Sequence, residues 1–272
     1  MKTKKLISSF IFIISLATLL FAGFKIISYH LETARTNTQI SALEQTAEVE
    51  EIPDPTPENV IEAEPEAEST PEVSLYWRYL NTPLLSVNLP ALIAENSDTV
   101  GWLQVLGTNV NYPFVQTADN RYYLYHSFDR SYNNAGWVFL DYRNSKTLSS
   151  QNNIIYAHGR TDKTMFGTLK NLLSSAWINS PESHLIRTVT ENSSSVWAVF
   201  SVYIVPTTSD YLQTNFADEK AYSNFLELIS ARSAHDFAVK PESSDQILTL
   251  STCYDDEQKL VIHAKLLKSS AI

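Results

Sequence analysis

The sequence predicts a mostly β fold, a closed barrel carrying N-terminal and peripheral helices, joined through an acidic linker to one membrane-spanning helix. Three observations carry this. An uncharged apolar run opens the chain, a Glu- and Pro-rich stretch free of basic residues follows it, and beyond residue 100 the chain breaks into short apolar or alternating runs bounded by Asn, Asp, Ser and Gly. Runs of that length and flanking are strand signals, and their number favours a barrel over a sandwich.

Residues 6–24 lack charge and are mostly apolar. At ~1.5 Å per helical residue they can cross a ~30 Å hydrocarbon core. A cleaved signal peptide is the rival reading, but the run exceeds the usual apolar region of such peptides and no A-x-A site follows it. We therefore expect a basic cytoplasmic end over 1–5, an uncleaved single-pass anchor over 6–27, and the rest of the chain outside the cell, because Lys2, Lys4 and Lys5 precede the span.

Residues 28–72 read as an extracellular linker. Eleven of the chain's 30 acidic residues lie between Glu44 and Glu72, with no Lys or Arg between Arg35 and Arg78. From about Thr33 the stretch is nearly free of aromatics, so it predicts a solvated, self-repelling, extended tether, with a few helical turns over 33–47 as a continuation of the anchor. The net charge of -10 is thereby located. The remainder is close to neutral, and charge makes no case for nucleic acid as a partner.

Aromatics return at Leu75-Tyr76-Trp77, which places the start of a folded domain near residue 73 and its extent at 73–272. Pro83 and Pro90 limit residues 75–95 to one or two short helices. Strands are expected over 100–105, 110–116, 136–140, 153–157, 185–190, 195–205, 247–253 and 260–267. Helical patterns interrupt them at 163–173 and 218–233.

Cys253 is the only cysteine. An internal disulfide and a multi-thiolate metal site are excluded, which leaves an inert core residue, an intermolecular link or a reactive thiol. Its surroundings favour the thiol. The strand 247–253 ends on Cys253, the strand 260–267 returns, and the polar segment Tyr254 to Gln258 suits a hairpin connection. Symmetric closure puts Lys259 opposite Cys253, side chains on one face and Cβ atoms ~5 Å apart. A cation there favours a thiolate and can donate to a developing oxyanion. A thiol nucleophile also needs a proton partner. Of the six histidines, His30 lies by the membrane, His126, His184 and His235 fall in loop-like or helical surroundings, and His263 points from a strand interior. His158 ends the apolar run Ile154-Ile155-Tyr156-Ala157 and precedes Gly159-Arg160, a placement that projects its ring into a loop-lined cleft.

An ordered set of motifs resembles the class B sortases. Asn96-Ser97-Asp98-Thr99-Val100-Gly101-Trp102-Leu103 is similar to the family's N-x-D-x-x-G-W-I opening. Gly107 to Gln116, then Asp119-Asn120 and Tyr123-Leu124, resembles G-T-x-I-x-Y-P-V-x-Q and D-N-x-x-Y-L. Gly136-Trp137-Val138-Phe139-Leu140-Asp141, Ile155-Tyr156-Ala157-His158 with Met165-Phe166-Gly167-Thr168-Leu169, and Leu250-Ser251-Thr252-Cys253 continue the match in order. The resemblance implies an eight-stranded sortase barrel, no metal or organic cofactor, and a thiol transpeptidation in which Cys253 attacks the carbonyl of a sorting-signal threonine while His158 serves as acid and then base. The implied partners are secreted proteins with a C-terminal sorting signal, and a peptidoglycan precursor or a pilin lysine as acyl acceptor. The implied groove comprises Asn120, Leu124, Thr207, Tyr211, Leu212 and Ser251.

Two positions depart from the pattern. Lys259 stands where the family carries arginine, and lysine keeps the charge but lacks the rigid two-pronged donor. Arg160 and Arg232 are alternative cations. Ala157 replaces the usual glycine before the histidine. The Lys259 departure keeps open a catalytically impaired module that binds sorting signals or assists pilus assembly, and a plain cysteine hydrolase is a further alternative.

Overall fold

The computed structural model describes residues 2–52, 71–255 and 257–272. It opens with α1 (Lys2–Ala47), a single helix of 46 residues. Phe10, Phe12, Leu19, Phe21, Phe24 and Ile27 are all exposed along it. The helix is long and apolar enough to cross a membrane, with a window of mean hydropathy 2.4 and none of it buried by the protein. An apolar helix with no protein cover is suited to lipid, where its internal hydrogen bonds satisfy the whole backbone.

The helical continuation of the anchor expected over 33–47 is present, but the structure corrects the solvated character expected of that stretch, because its end is packed against the domain. α1 stays helical to Ala47, where Leu43 and Ala47 are buried and Ile40 packs beside them. β1 (Glu50–Ile52) then pairs antiparallel with β2 (Leu84–Ser86). The physical reason is the spacing 40, 43, 47, one apolar stripe at helical period that the surrounding glutamates obscure. The acidic stretch 53–70 lies outside the described residues, and so does the tether expected there.

Of the one or two short helices expected over 75–95, two are present, α2 (Pro71–Leu80), which begins earlier, and α3 (Leu89–Glu95). The Asn88 side chain caps α3 by accepting from the Ala91 N–H, and Pro90 sits in its first turn, where no intrahelical donor is needed. The barrel follows: β3 (Thr99–Val105), β4 (Asn111–Val115), β5 (Phe139–Leu140), β6 (Asn152–Tyr156), β7 (Leu185–Thr190), β8 (Ser193–Pro206), β9 (Ile247–Cys253) and β10 (Gln258–Ala271). They close in the order β10-β8-β7-β3-β4-β5-β6-β9. Each expected strand is one of these eight. The 136–140 run is mostly loop, because Trp137 N–H donates to the Tyr123 carbonyl and the Val138 carbonyl accepts from Val115.

Pairing is antiparallel except at β4–β5 and β6–β9. The parallel β6–β9 contact matters most for the site, because parallel strands end at the same rim. The expected helical pattern at 163–173 is a 3-10 segment, Gly167–Leu173, followed by the single-turn α4 (Ser175–Ile178). α5 (Glu219–Ala231) fills the other helical pattern, capped by Asp218. It lays Tyr222, Phe225, Leu226 and Ile229 against Phe200, Tyr203 and Val261 of β8 and β10. The barrel interior holds Trp102, Phe114, Trp137, Ile155, Leu250 and Ile262 in one apolar cluster.

Candidate active site

Two strand pairings build the site. On one side of β9 the β9–β10 hairpin sets Lys259 directly opposite Cys253, and the Lys259 Nζ donates to Cys253 Sγ at 2.9 Å. On the other side the parallel ladder pairs Tyr156 with Ser251. Carried two residues on, that register brings His158 level with Cys253 and on the same face. The strand ends are locked together beyond the ladder. Thr252 Oγ1 donates to the Ala157 carbonyl at 2.8 Å, and a Cβ on Gly159 would lie 2.2 Å from the Cys253 carbonyl oxygen. Glycine after His158 is therefore a packing necessity.

The His158 ring is held by one bond, from Nε2 to the Leu124 carbonyl at 2.8 Å. A carbonyl only accepts, so Nε2 carries a proton and Nδ1 is the nitrogen left for exchange. Cys253, His158 and Lys259 are each half-buried. They line a cavity of about 420 Å³ at the barrel rim.

All nine site residues expected from the sequence meet there: Cys253, His158, Lys259, Asn120, Leu124, Thr207, Tyr211, Leu212 and Ser251. Tyr211 is buried and shares a hydrogen bond of 3.0 Å with the Ser251 hydroxyl. Burial pushes its phenol up, so it stays neutral and orients the wall. Neither alternative arginine reaches the cavity. Arg160 is ion-paired with Asp162 at 2.6 Å, and Arg232 with Asp210 at 2.5 Å. Lys259 is the only Lys or Arg lining it, among the described residues.

Phe139, Tyr156, Ala157, Thr208 and Thr252 also line the cavity, and none of them was assigned a role from the sequence. Behind them lies a support whose role the matching motifs do not state. The buried Asp141 carboxylate accepts from Asn120 Nδ2 at 2.9 Å, the Tyr156 hydroxyl at 2.9 Å and Arg143 at 2.7 Å. Arg143 in turn donates to the Leu212 carbonyl at 3.0 Å. Burial pushes the Asp141 carboxyl up, but the Arg143 fork and the Tyr156 hydroxyl outweigh it and hold it below the usual range. The available signals are its place as the last residue of the matching stretch 136–141 and its charge at the end of an apolar run.

A closed barrel that gathers a thiol, an imidazole and an ammonium at one rim is the frame of an enzyme with a cysteine nucleophile. The family model of the sortase domain matches residues 103–267, and the chain belongs to the sortase family. It is similar to sortase B of Listeria monocytogenes, 33% identical over 180 residues that cover 63% of this chain and 70% of that one. Sortase B of Staphylococcus aureus is likewise 33% identical over 180 residues, covering 64% and 72%. Among solved structures, the Staphylococcus aureus sortase B–substrate complex superposes with a TM-score of 0.62 at 32% identity, over 66% of this chain and 84% of that one. A Bacillus anthracis protein similar to sortase B gives 0.61 at 38% identity, over 66% and 82%.

Proposed function

We propose that this sortase is a membrane-anchored transpeptidase that cleaves a C-terminal sorting signal after threonine and joins the acyl part to an amine of the cell wall or of a pilin. The observation that carries this reading is the Lys259–Cys253 contact of 2.9 Å in a cleft shared with His158. The thiol proton passes to His158 Nδ1, and the sulfur attacks the threonine carbonyl carbon. The C–S bond forms, the oxyanion collapses, and the C–N bond breaks as His158 returns the proton to the leaving amine. In the second half an incoming amine attacks the thioester while His158 takes its proton. The new C–N bond forms and the thiolate leaves. In this reading Lys259 balances negative charge on sulfur and on the oxyanion. The existence of a substrate complex of the related Staphylococcus aureus sortase B supports a sorting-signal substrate for this chain.

The close ammonium speaks against the impaired-module reading, since the charge stands where the reaction needs it. Truncation near residue 73 would strip Leu43, Ala47 and β1 from the domain, so the full chain in detergent is the form to test. Incubated with sorting-signal peptides and an amine acceptor, it is expected to give an amine-dependent ligation product and a thioacyl adduct by mass spectrometry, both lost in Cys253→Ala. Cleavage without ligation would indicate the hydrolase; binding with no adduct would sink both enzymatic readings.

A further inference from the structure

The helix that enters the membrane also grips the loop that leaves His158. Tyr29 and Thr161 hydroxyls share a bond of 2.8 Å. Thr33 Oγ1 donates to Asp162 Oδ2 at 2.5 Å and accepts from Arg160 at 3.2 Å. The Arg160 guanidinium lies 4.9 Å over the Tyr29 ring. The Arg160 and Asp162 side chains are only 9% and 8% exposed, so this is a packed joint and not a surface brush. The loop is set from within as well. Phe166 N–H donates to the His158 carbonyl at 3.0 Å, and Asp162 Oδ1 accepts from Thr164 N–H at 3.1 Å. Lys163 and Met165 adopt left-handed φ of 67° and 50°, which non-glycine residues keep only where surroundings over-determine them.

Farther along α1 the contact continues. Arg35 reaches Ser131 at 2.9 Å, and the buried Thr36 hydroxyl accepts from Asn133 at 3.1 Å. Leu43 and Ala47 are in the core. Between Lys25 and Ala47 there is neither Gly nor Pro, and a helix without those residues has no ready place to kink. Tyr29 stands five residues past Phe24, where the uncharged run ends, or about 7.5 Å along the axis.

We propose that α1 is a rigid strut that fixes the cleft at a set height above the bilayer, so that the enzyme selects donors by the distance between their cleaved bond and their own membrane span. This rests on the transpeptidase reading. A flexible 45-residue tether, the length of 28–72, would instead wander over roughly 35–40 Å and measure nothing.

The test uses the full chain in phosphatidylcholine–phosphatidylglycerol vesicles. One donor is a free sorting peptide; the others carry the same peptide on a transmembrane segment, with spacers of zero to twenty residues between cleaved bond and span. Seven helix-forming residues inserted after Ile27 add about two turns, keep the docking face nearly in phase and lift the domain by about 10.5 Å. The wild type is expected to show an optimum in spacer length. The insertion should move that optimum toward longer spacers by about three extended residues, with the free-peptide rate unchanged within twofold. Seven Gly-Ser residues at the same place should flatten the profile. A flat wild-type profile, or an optimum unmoved by the helical insertion, with the free peptide still ligated, would overturn the strut alone. Failure to ligate the free peptide in every variant would overturn the transpeptidase reading and the strut with it.

Discussion

The strands β9 and β10 carry two polar sites, one at the barrel rim and one two turns of the pleat inside, and the two are finished differently. In the interior every polar atom is matched. Thr249 Oγ1 donates to Asn152 Oδ1 at 2.6 Å and accepts from His263 Nδ1 at 2.8 Å, while His263 Nε2 accepts from the Tyr203 hydroxyl at 2.9 Å. At the rim His158 uses one nitrogen on the Leu124 carbonyl, and Cys253 and Lys259 touch at 2.9 Å on the wall of an open cavity. A histidine whose bonds are all made holds a fold together. One with a nitrogen left over at a cavity can exchange a proton.

The largest effects should separate these sites by activity. His158→Ala is expected to lower kcat/KM for ligation by about 10²–10⁴-fold, with the unfolding midpoint nearly unchanged, since the ring is half-buried and spends one bond on a loop carbonyl. Steady-state ligation and denaturant unfolding on the same preparation check both halves. A variant that unfolds early would erase the contrast between rim and interior.

Lys259→Met comes next. Removing one oxyanion-type donor costs about 3 kcal/mol of transition-state stabilisation, or about a hundredfold in rate. Lys259→Arg keeps the charge and should stay within about tenfold of the wild type. Equal losses in the two variants would mean that the amine's position matters more than its charge, and that the departure from the family's arginine is an adaptation.

How much of this contrast was readable in advance depended on whether contacts were local. The Cys253–Lys259 register followed from the symmetric closure of one hairpin, and the eight strands followed from alternation and turn residues. His158 reached Cys253 by a parallel pairing between strands some ninety residues apart, which no local pattern encodes; only the ordered motifs connected them. The Asp141–Arg143 support was hidden for the same reason, joining the Asn120 loop, β6 and the Leu212 loop. The docking of α1 was hidden otherwise: glutamates around Leu43 and Ala47 gave the segment a disordered composition although its buried face is apolar.

The interior site should answer in stability. Thr249→Val keeps the shape but strands Asn152 Oδ1 and the His263 Nδ1 proton in the core, where each unpaired group costs about 1–3 kcal/mol. The unfolding midpoint in denaturant is expected to fall accordingly, with ligation by the folded fraction within twofold of the wild type. A loss of activity without loss of stability would show that the interior layer sets the geometry of the rim.

The smallest effect is the pH response of that interior. Burial, with the Arg232 charge as a lesser cause, pushes the His263 imidazole down from 6.5 to about 3. The ring therefore stays neutral in the folded protein while the unfolded chain takes up a proton near pH 6.5. Between those values the unfolded state binds more protons, so stability rises with pH; the neutral-ring contribution is complete above the unfolded pKa and is lost as pH falls from about 6.5 toward 3. Between pH 7 and 5.5 the loss is roughly 1 kcal/mol from this group. Denaturant midpoints measured across that interval should show the slope in the wild type and a shallower one in His263→Gln, which does not titrate but can donate and accept in the same layer. An unchanged slope would assign the acid sensitivity to other groups, and the interior histidine would then differ from His158 in its bonding alone.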